Sequence, residues 1–133
     1  MKSKGFLPDT CAWIDYFRAG ENPLGKLLDE ALSKEAVYAC GPVLYELVQG
    51  TRLKNEQTML LSALGALPFL ELTMDVWVQA GQQSAALRRM GRTIPFSDVL
   101  IATLAIEHNL AVMTVDEHFR FISGLVVKTT EIS

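Results

Sequence analysis

The chain has 133 residues, half of them hydrophobic and a fifth charged, with a net charge of −3. This size fits one domain spanning 1–133, and the apolar share excludes a disordered chain. The negative balance excludes a basic module that grips nucleic acid by charge alone. It leaves open an enzyme whose acids hold cations that then meet the phosphate.

In chain order, residues 5–9 (GFLPD) read as a short buried strand stopping at Asp9, and 12–18 as one or two helical turns. Pro8 is unusual there, because proline removes a ladder donor; it is tolerable near a strand's end. After the break AGENP, Asn22 as cap and Pro23 at the first position open a helix to about Ser33, with Leu24, Leu27, Leu28, Ala31 and Leu32 on one face. Residues 36–40 form a second strand, and Gly41-Pro42 opens a helix ending near Gly50. A helix over 55–66 stops at Pro68, and 69–72 form a third strand. Thr73 caps a long helix reaching about Arg92, and Ser97 caps one from Asp98 to His108, with Asn109 as a left-handed ending. Residues 110–115 are a fourth strand, 116–121 a turn or short helix, and 125–129 a fifth strand. Short apolar strands alternating with helices predict a parallel sheet covered on both faces, an α/β fold.

Cys11 and Cys40 have no partner at zinc-site spacing, and two thiols make no disulfide framework, so the pattern suits a reducing cytoplasm. The N-terminus lacks the apolar stretch of a signal peptide. No apolar run approaches the roughly 18 residues a membrane span needs.

Of fifteen acidic residues, six stand beside or inside apolar runs: Asp9, Asp15, Glu46, Glu71, Asp98 and Asp116. Asp15 has Arg18 three residues on, a workable helical pair, and Glu71 can face solvent from an edge strand. The other four lack a ready local cation; only Arg120 stands at helical distance from one of them, Asp116. Burying an unpaired carboxylate costs several kcal/mol or more, so a bound cation is one solution. Asp9 and Asp116 fall at the C-terminal ends of predicted parallel strands, the edge where open α/β sheets bind ligands. Singly, each Asp also reads as a cap or turn residue; Glu46, mid-helix, does not. Oxygen-only donors suit Mg²⁺ or Mn²⁺ better than zinc.

Other features read more plainly. Arg88, Arg89 and Arg92 are candidate phosphate contacts or a solvated helix end. His118 reads as a packed or surface histidine, and His108 as a helix C-terminal residue. Trp13, Tyr16 and Phe17 fit core or interface better than base stacking. GENPLGK (20–26) imitates a P-loop, but Leu27 stands where a Ser or Thr is required and no strand precedes it.

Three segments in order, LPDTCAWIDYFRAG, PVLYELVQG and IPFSDVLIATLAIEHNLAVMTVDEHF, resemble the PIN-domain ribonucleases, and among them the VapC toxins of bacterial toxin–antitoxin pairs. The resemblance covers nearly the whole chain. It implies a three-layer α/β/α fold with a short central parallel sheet and RNA hydrolysis with Mg²⁺ or Mn²⁺. Asp9, Glu46, Asp98 and Asp116 match the family's catalytic acids, with Asp9, Asp98 and Asp116 on the metal and Glu46 acting directly or through water. Thr10 and Thr114 match supporting hydroxyls. The resemblance also implies a homodimer and a cognate antitoxin, with the apolar faces of helices 23–33 and 55–66 as candidate antitoxin surfaces. The competing expectations are a receiver-type signalling domain and a PIN-like domain that binds partners without catalysis. The receiver reading wants adjacent acids after the first strand, where Asp9-Thr10 fits badly.

Overall fold

The computed structural model describes residues 3–18, 20–34 and 36–130. Five short strands alternate with helices: β1 (Phe6–Pro8), α1 (Thr10–Phe17), α2 (Pro23–Lys34), β2 (Ala39–Cys40), α3 (Gly41–Gln49), α4 (Lys54–Gly65), β3 (Phe69–Leu70), α5 (Met74–Arg89), α6 (Phe96–Glu107), β4 (Ala111–Met113) and β5 (Val126–Lys128). A 3-10 helix, Glu117–Phe121, lies between β4 and β5. Among the described residues every strand pairing is parallel, in the orders β1-β4-β5 and β2-β3. An isolated bridge between Phe6 and Val37 joins the two groups. The result is the three-layer α/β/α arrangement expected from the alternation.

Pro8 explains why that join is so slight. Phe6 turns its backbone toward the β2 side: its N–H donates to Ala36 at 2.8 Å and its carbonyl accepts from Tyr38 at 3.0 Å. The next donor on that side would be residue 8, and proline has none. Toward β4 the ladder is intact, with the Asp9 N–H donating to the Met113 carbonyl at 3.0 Å. Pro8 therefore sits inside β1, in register with Met113, at no loss to the pairing that places Asp9.

The core joins the sheet to helices that pack in groups, α1 on α2 and α6 on α5 and α3. Helix α6 is buried along the whole run from Asp98 to Ala105. Its strong apolar character and lack of a polar face mark a helix enclosed on all sides. Leu24, Leu28 and Ala31 of α2 are core residues, while Leu27 and Leu32 are partly buried against the core. On α4, Leu60 and Leu64 are buried while Leu53, just before the helix, and Met59 and Leu61 on it are exposed.

Three capping expectations resolve differently. Thr73 caps α5 through the Val76 N–H at 3.2 Å. The Asn22 carbonyl accepts the Lys26 N–H, but its side-chain amide donates to the Asp15 and Arg18 carbonyls, closing the end of α1. Ser97 is not the cap of α6; the helix starts two residues earlier than expected, at Phe96 after Pro95. Asn109 does take the left-handed conformation, with φ 56°. Gly25, the second glycine of the P-loop imitation, lies within α2, where an added Cβ would stand 2.7 Å from the Asp15 carbonyl oxygen. Its function is close helix packing. Among the described residues no helix is long and apolar enough to cross a membrane.

Candidate active site

The four acids reach one sheet edge by four routes. Asp9 follows β1 and precedes α1, with an extended backbone of an N-cap but no side-chain cap bond. Its carboxylate points inward and is buried. Oδ2 accepts the Thr114 hydroxyl at 3.1 Å and faces the Cys11 Sγ at 3.7 Å. Thr114, fully buried just after β4, in turn accepts the Asp116 N–H at 2.9 Å. One hydroxyl thus ties the first acid to the last.

Glu46 projects from the middle of α3. Both of its oxygens are held: Oε1 accepts the Thr10 hydroxyl at 2.6 Å and Oε2 the Ser97 hydroxyl at 3.2 Å. Ser97, read from sequence as a cap, is a site residue. Its signal was its place directly before Asp98, but only packing of α6 on α3 brings it to Glu46. That same packing carries the buried Asp98, in the first turn of α6, to the sheet edge.

Asp116 does act as a cap. It begins the 3-10 helix and accepts the His118 N–H at 2.9 Å. Arg120, the one cation at helical distance from Asp116 in the sequence, lies 3.6 Å from Glu117 instead. His118 Nδ1 stands 3.0 Å from Asp98 Oδ2 and 3.2 Å from Asp116 Oδ1, so the histidine is neither core nor bystander. Asp98, Asp116 and His118 each direct one ligand atom into a space where all lie within 4.8 Å.

Among the described residues no Lys or Arg pairs with Asp9, Glu46, Asp98 or Asp116. The electrostatics record this. Burial pushes the Asp9 carboxyl up to about 6, and the negative charges of Asp98 and Glu46 add to the rise against the Thr10 and Thr114 hydrogen bonds. Burial also raises Asp98, helped by Asp116 and Glu46 and opposed by His118. Buried like charges without a Lys or Arg partner fit a hard divalent cation, as the mainly carboxylate donor set does.

The remaining sequence candidates lie outside this cluster. Arg88 and Arg92 line a shallow cleft with Ser84, Thr93, Ile94 and Phe96, and the Arg92 guanidinium lies 3.6 Å over the Phe121 ring. Arg89 is exposed at the end of α5. Trp13, Tyr16 and Phe17 pack on one another, with Trp13 in the core. Cys11 and Cys40 are free; burial raises both thiols, Cys40 to about 12.

A family model described as PIN domain matches residues 6–125. The chain belongs to the PIN-domain family. Within that family it is similar to the VapC ribonuclease Mb1587 of Mycobacterium bovis and to ribonuclease VapC11 of Mycobacterium tuberculosis. Each is 35% identical over 124 residues, covering 90% of this chain and 92% of the relative. Its fold matches VapBC2 of Rickettsia felis bound to promoter DNA, with TM-score 0.79 and 20% identity over 95% of this chain and 98% of the other. It also matches DNA-bound VapBC of Salmonella typhimurium, with TM-score 0.76 and 22% identity over 97% and 98%. A PIN fold removes the receiver-type alternative.

Proposed function

We propose that this chain is a metal-dependent endoribonuclease, acting as a single PIN domain over 1–133 in the cytoplasm, and the toxin of a toxin–antitoxin pair. The observation that carries the reading is the gathering of Asp9, Glu46, Asp98 and Asp116 at one sheet edge, two of them buried without a Lys or Arg partner among the described residues. Support also comes from relatives named VapC ribonucleases and from structural neighbours that are VapBC complexes. Free cysteines accord with a reducing compartment.

Asp9, Asp98 and Asp116 would hold Mg²⁺ or Mn²⁺, and Glu46 would complete the catalytic set. A bound divalent cation activates water toward phosphorus and offsets the charge that grows on the phosphate. Glu46, held at both oxygens by Thr10 and Ser97, keeps one orientation in which to align that water. Thr114 keeps Asp9 and the start of the 3-10 helix in fixed relation. Arg88, Arg89 and Arg92 supply positive charge for flanking phosphates.

Two apolar surfaces suit protein partners. A cleft of about 390 Å³ between α1, α3 and α4 is lined by Ile14, Phe17, Leu47, Met59 and Leu60, with Glu46 also on its wall. It has the form that seats an amphipathic antitoxin helix, and its occupant would adjoin the site. Elsewhere Tyr45 and Phe96 line a second hollow and Trp77 stacks on Phe96 at 5.8 Å, which suits a homodimer.

The test uses total cellular RNA, because such enzymes can be selective. The wild type should cut internally with Mg²⁺ or Mn²⁺, leaving 5′-phosphate and 3′-hydroxyl ends. Asp9→Asn, Glu46→Gln, Asp98→Asn and Asp116→Asn should each slow cleavage by orders of magnitude with the fold retained. Cleavage that survives EDTA, or an Asp98→Asn protein with the wild-type pattern, would overturn the mechanism.

A further inference from the structure

We infer that His118 is a nitrogen ligand of the cation held by Asp98 and Asp116, and that it biases the site toward Mn²⁺ over Mg²⁺. The inference rests on the divalent-cation reading above and adds to it a donor of different chemistry.

The geometry is that of neighbouring donors on one ion. His118 Nδ1 lies 3.0 Å from an oxygen of Asp98 and 3.2 Å from an oxygen of Asp116. An octahedral shell with bonds of about 2.1 Å sets adjacent donors about 3 Å apart. The two spacings from His118 match that value, and all three ligand atoms, from the start of α6 and the turn after β4, lie within 4.8 Å of one another. The His118 N–H donates to the same Asp116 oxygen at 2.9 Å, so backbone and ring of the histidine are referred to one carboxylate. The half-exposed ring closes the solvent side of the site, while the buried Asp98 closes the inner side.

The chemical consequence follows from ligand preference. Mg²⁺ takes oxygen almost exclusively and gives up water reluctantly, whereas imidazole is a good ligand for first-row transition ions. One nitrogen in an otherwise carboxylate set therefore raises Mn²⁺ affinity more than Mg²⁺ affinity.

The experiment uses the full-length, tag-free protein loaded with Mn²⁺ and read by pulsed EPR for nitrogen hyperfine coupling. Calorimetric titrations supply the Mn²⁺ and Mg²⁺ dissociation constants. Coupling is expected in the wild type and lost in His118→Gln, with the preference for Mn²⁺ falling about tenfold. His108→Gln, at the opposite end of α6, should keep both coupling and preference. The wild-type and His108→Gln spectra decide the matter even if His118→Gln folds poorly. Bound Mn²⁺ without nitrogen coupling in the wild type, or an unchanged preference in a folded His118→Gln protein, would overturn the inference and leave an all-oxygen site. Failure of the folded wild type to bind Mn²⁺ would instead sink the divalent-cation reading beneath it.

Discussion

Asp9 shows how much the site strains the fold that holds it. Its carboxyl is raised from 3.8 to about 6, first by burial and then by Asp98 and Glu46. Ionising such a group costs the folded state and not the unfolded one. The penalty is absent below pH 3.8, grows through the window up to about 6, and is fully present above it. In EDTA the protein should lose roughly 3 kcal/mol of stability from this group as pH rises through that window. Asp9→Asn should remove that slope and raise the metal-free melting temperature at pH 7.5. A wild-type protein whose metal-free stability climbs between pH 4 and 7 would contradict the buried, unpartnered carboxylate. Ser97 belongs to the same scale. Ser97→Ala leaves Glu46 only its Thr10 bond, so cleavage should slow by about tenfold with the melting temperature lowered by only a few degrees, since one part-exposed hydrogen bond to a carboxylate is worth about 1–2 kcal/mol. Equal rates for Ser97→Ala and wild type would strip Ser97 of any positioning role.

The helices explain why local residues do two jobs. Gly25 makes α2 intrinsically poorer by about 1 kcal/mol relative to alanine, yet it lets α2 lie against the backbone at Asp15 and Tyr16. Gly25→Ala should therefore destabilise by about 1–3 kcal/mol despite the gain in propensity, read as a lowered urea midpoint. A stabilised Gly25→Ala protein would mean that α1 and α2 are packed less closely. Asn22 follows the same logic, opening α2 with its carbonyl while its amide closes α1. Pro8 ends the β1–β2 ladder on one side and leaves the β4 side whole, so a residue unfavourable to strands falls where the sheet needs no donor.

At the scale of the whole molecule the apolar surplus divides between core and surface. Tyr45 and Phe96 are each 68% exposed, and Trp77 stacks on the latter. A homodimer would cover them. Sedimentation of the wild type at micromolar concentration should give a dimer, and Trp77→Glu should shift it to monomer while the circular dichroism stays native. If Trp77→Glu sediments as the wild type does, this face is not the contact. The separate cleft beside Glu46 predicts that Met59→Glu weakens capture by a co-expressed antitoxin without changing the dimer.

The alternation of short apolar strands with helices was enough to anticipate the α/β class, the element order and most boundaries, because burial periodicity is a local property of the chain. The four acids were legible for a related reason: a carboxylate inside an apolar run announces a burial problem wherever the chain later goes. Asp15 with Arg18, Thr73 and Asn109 were legible too, since their partners lie within a few residues. What the sequence could not decide was every contact made across the fold. Ser97 looked like a cap until α6 packed on α3 and turned its hydroxyl to Glu46, 51 positions away. His118 looked like a surface residue until the turn after β4 met the start of α6 and set its ring between Asp98 and Asp116. Arg120 stood at helical distance from Asp116, but the short 3-10 helix gave it Glu117. Local pattern determines which residues must be buried or capped; only tertiary packing chooses among distant partners, because that choice depends on where two separate elements come to rest.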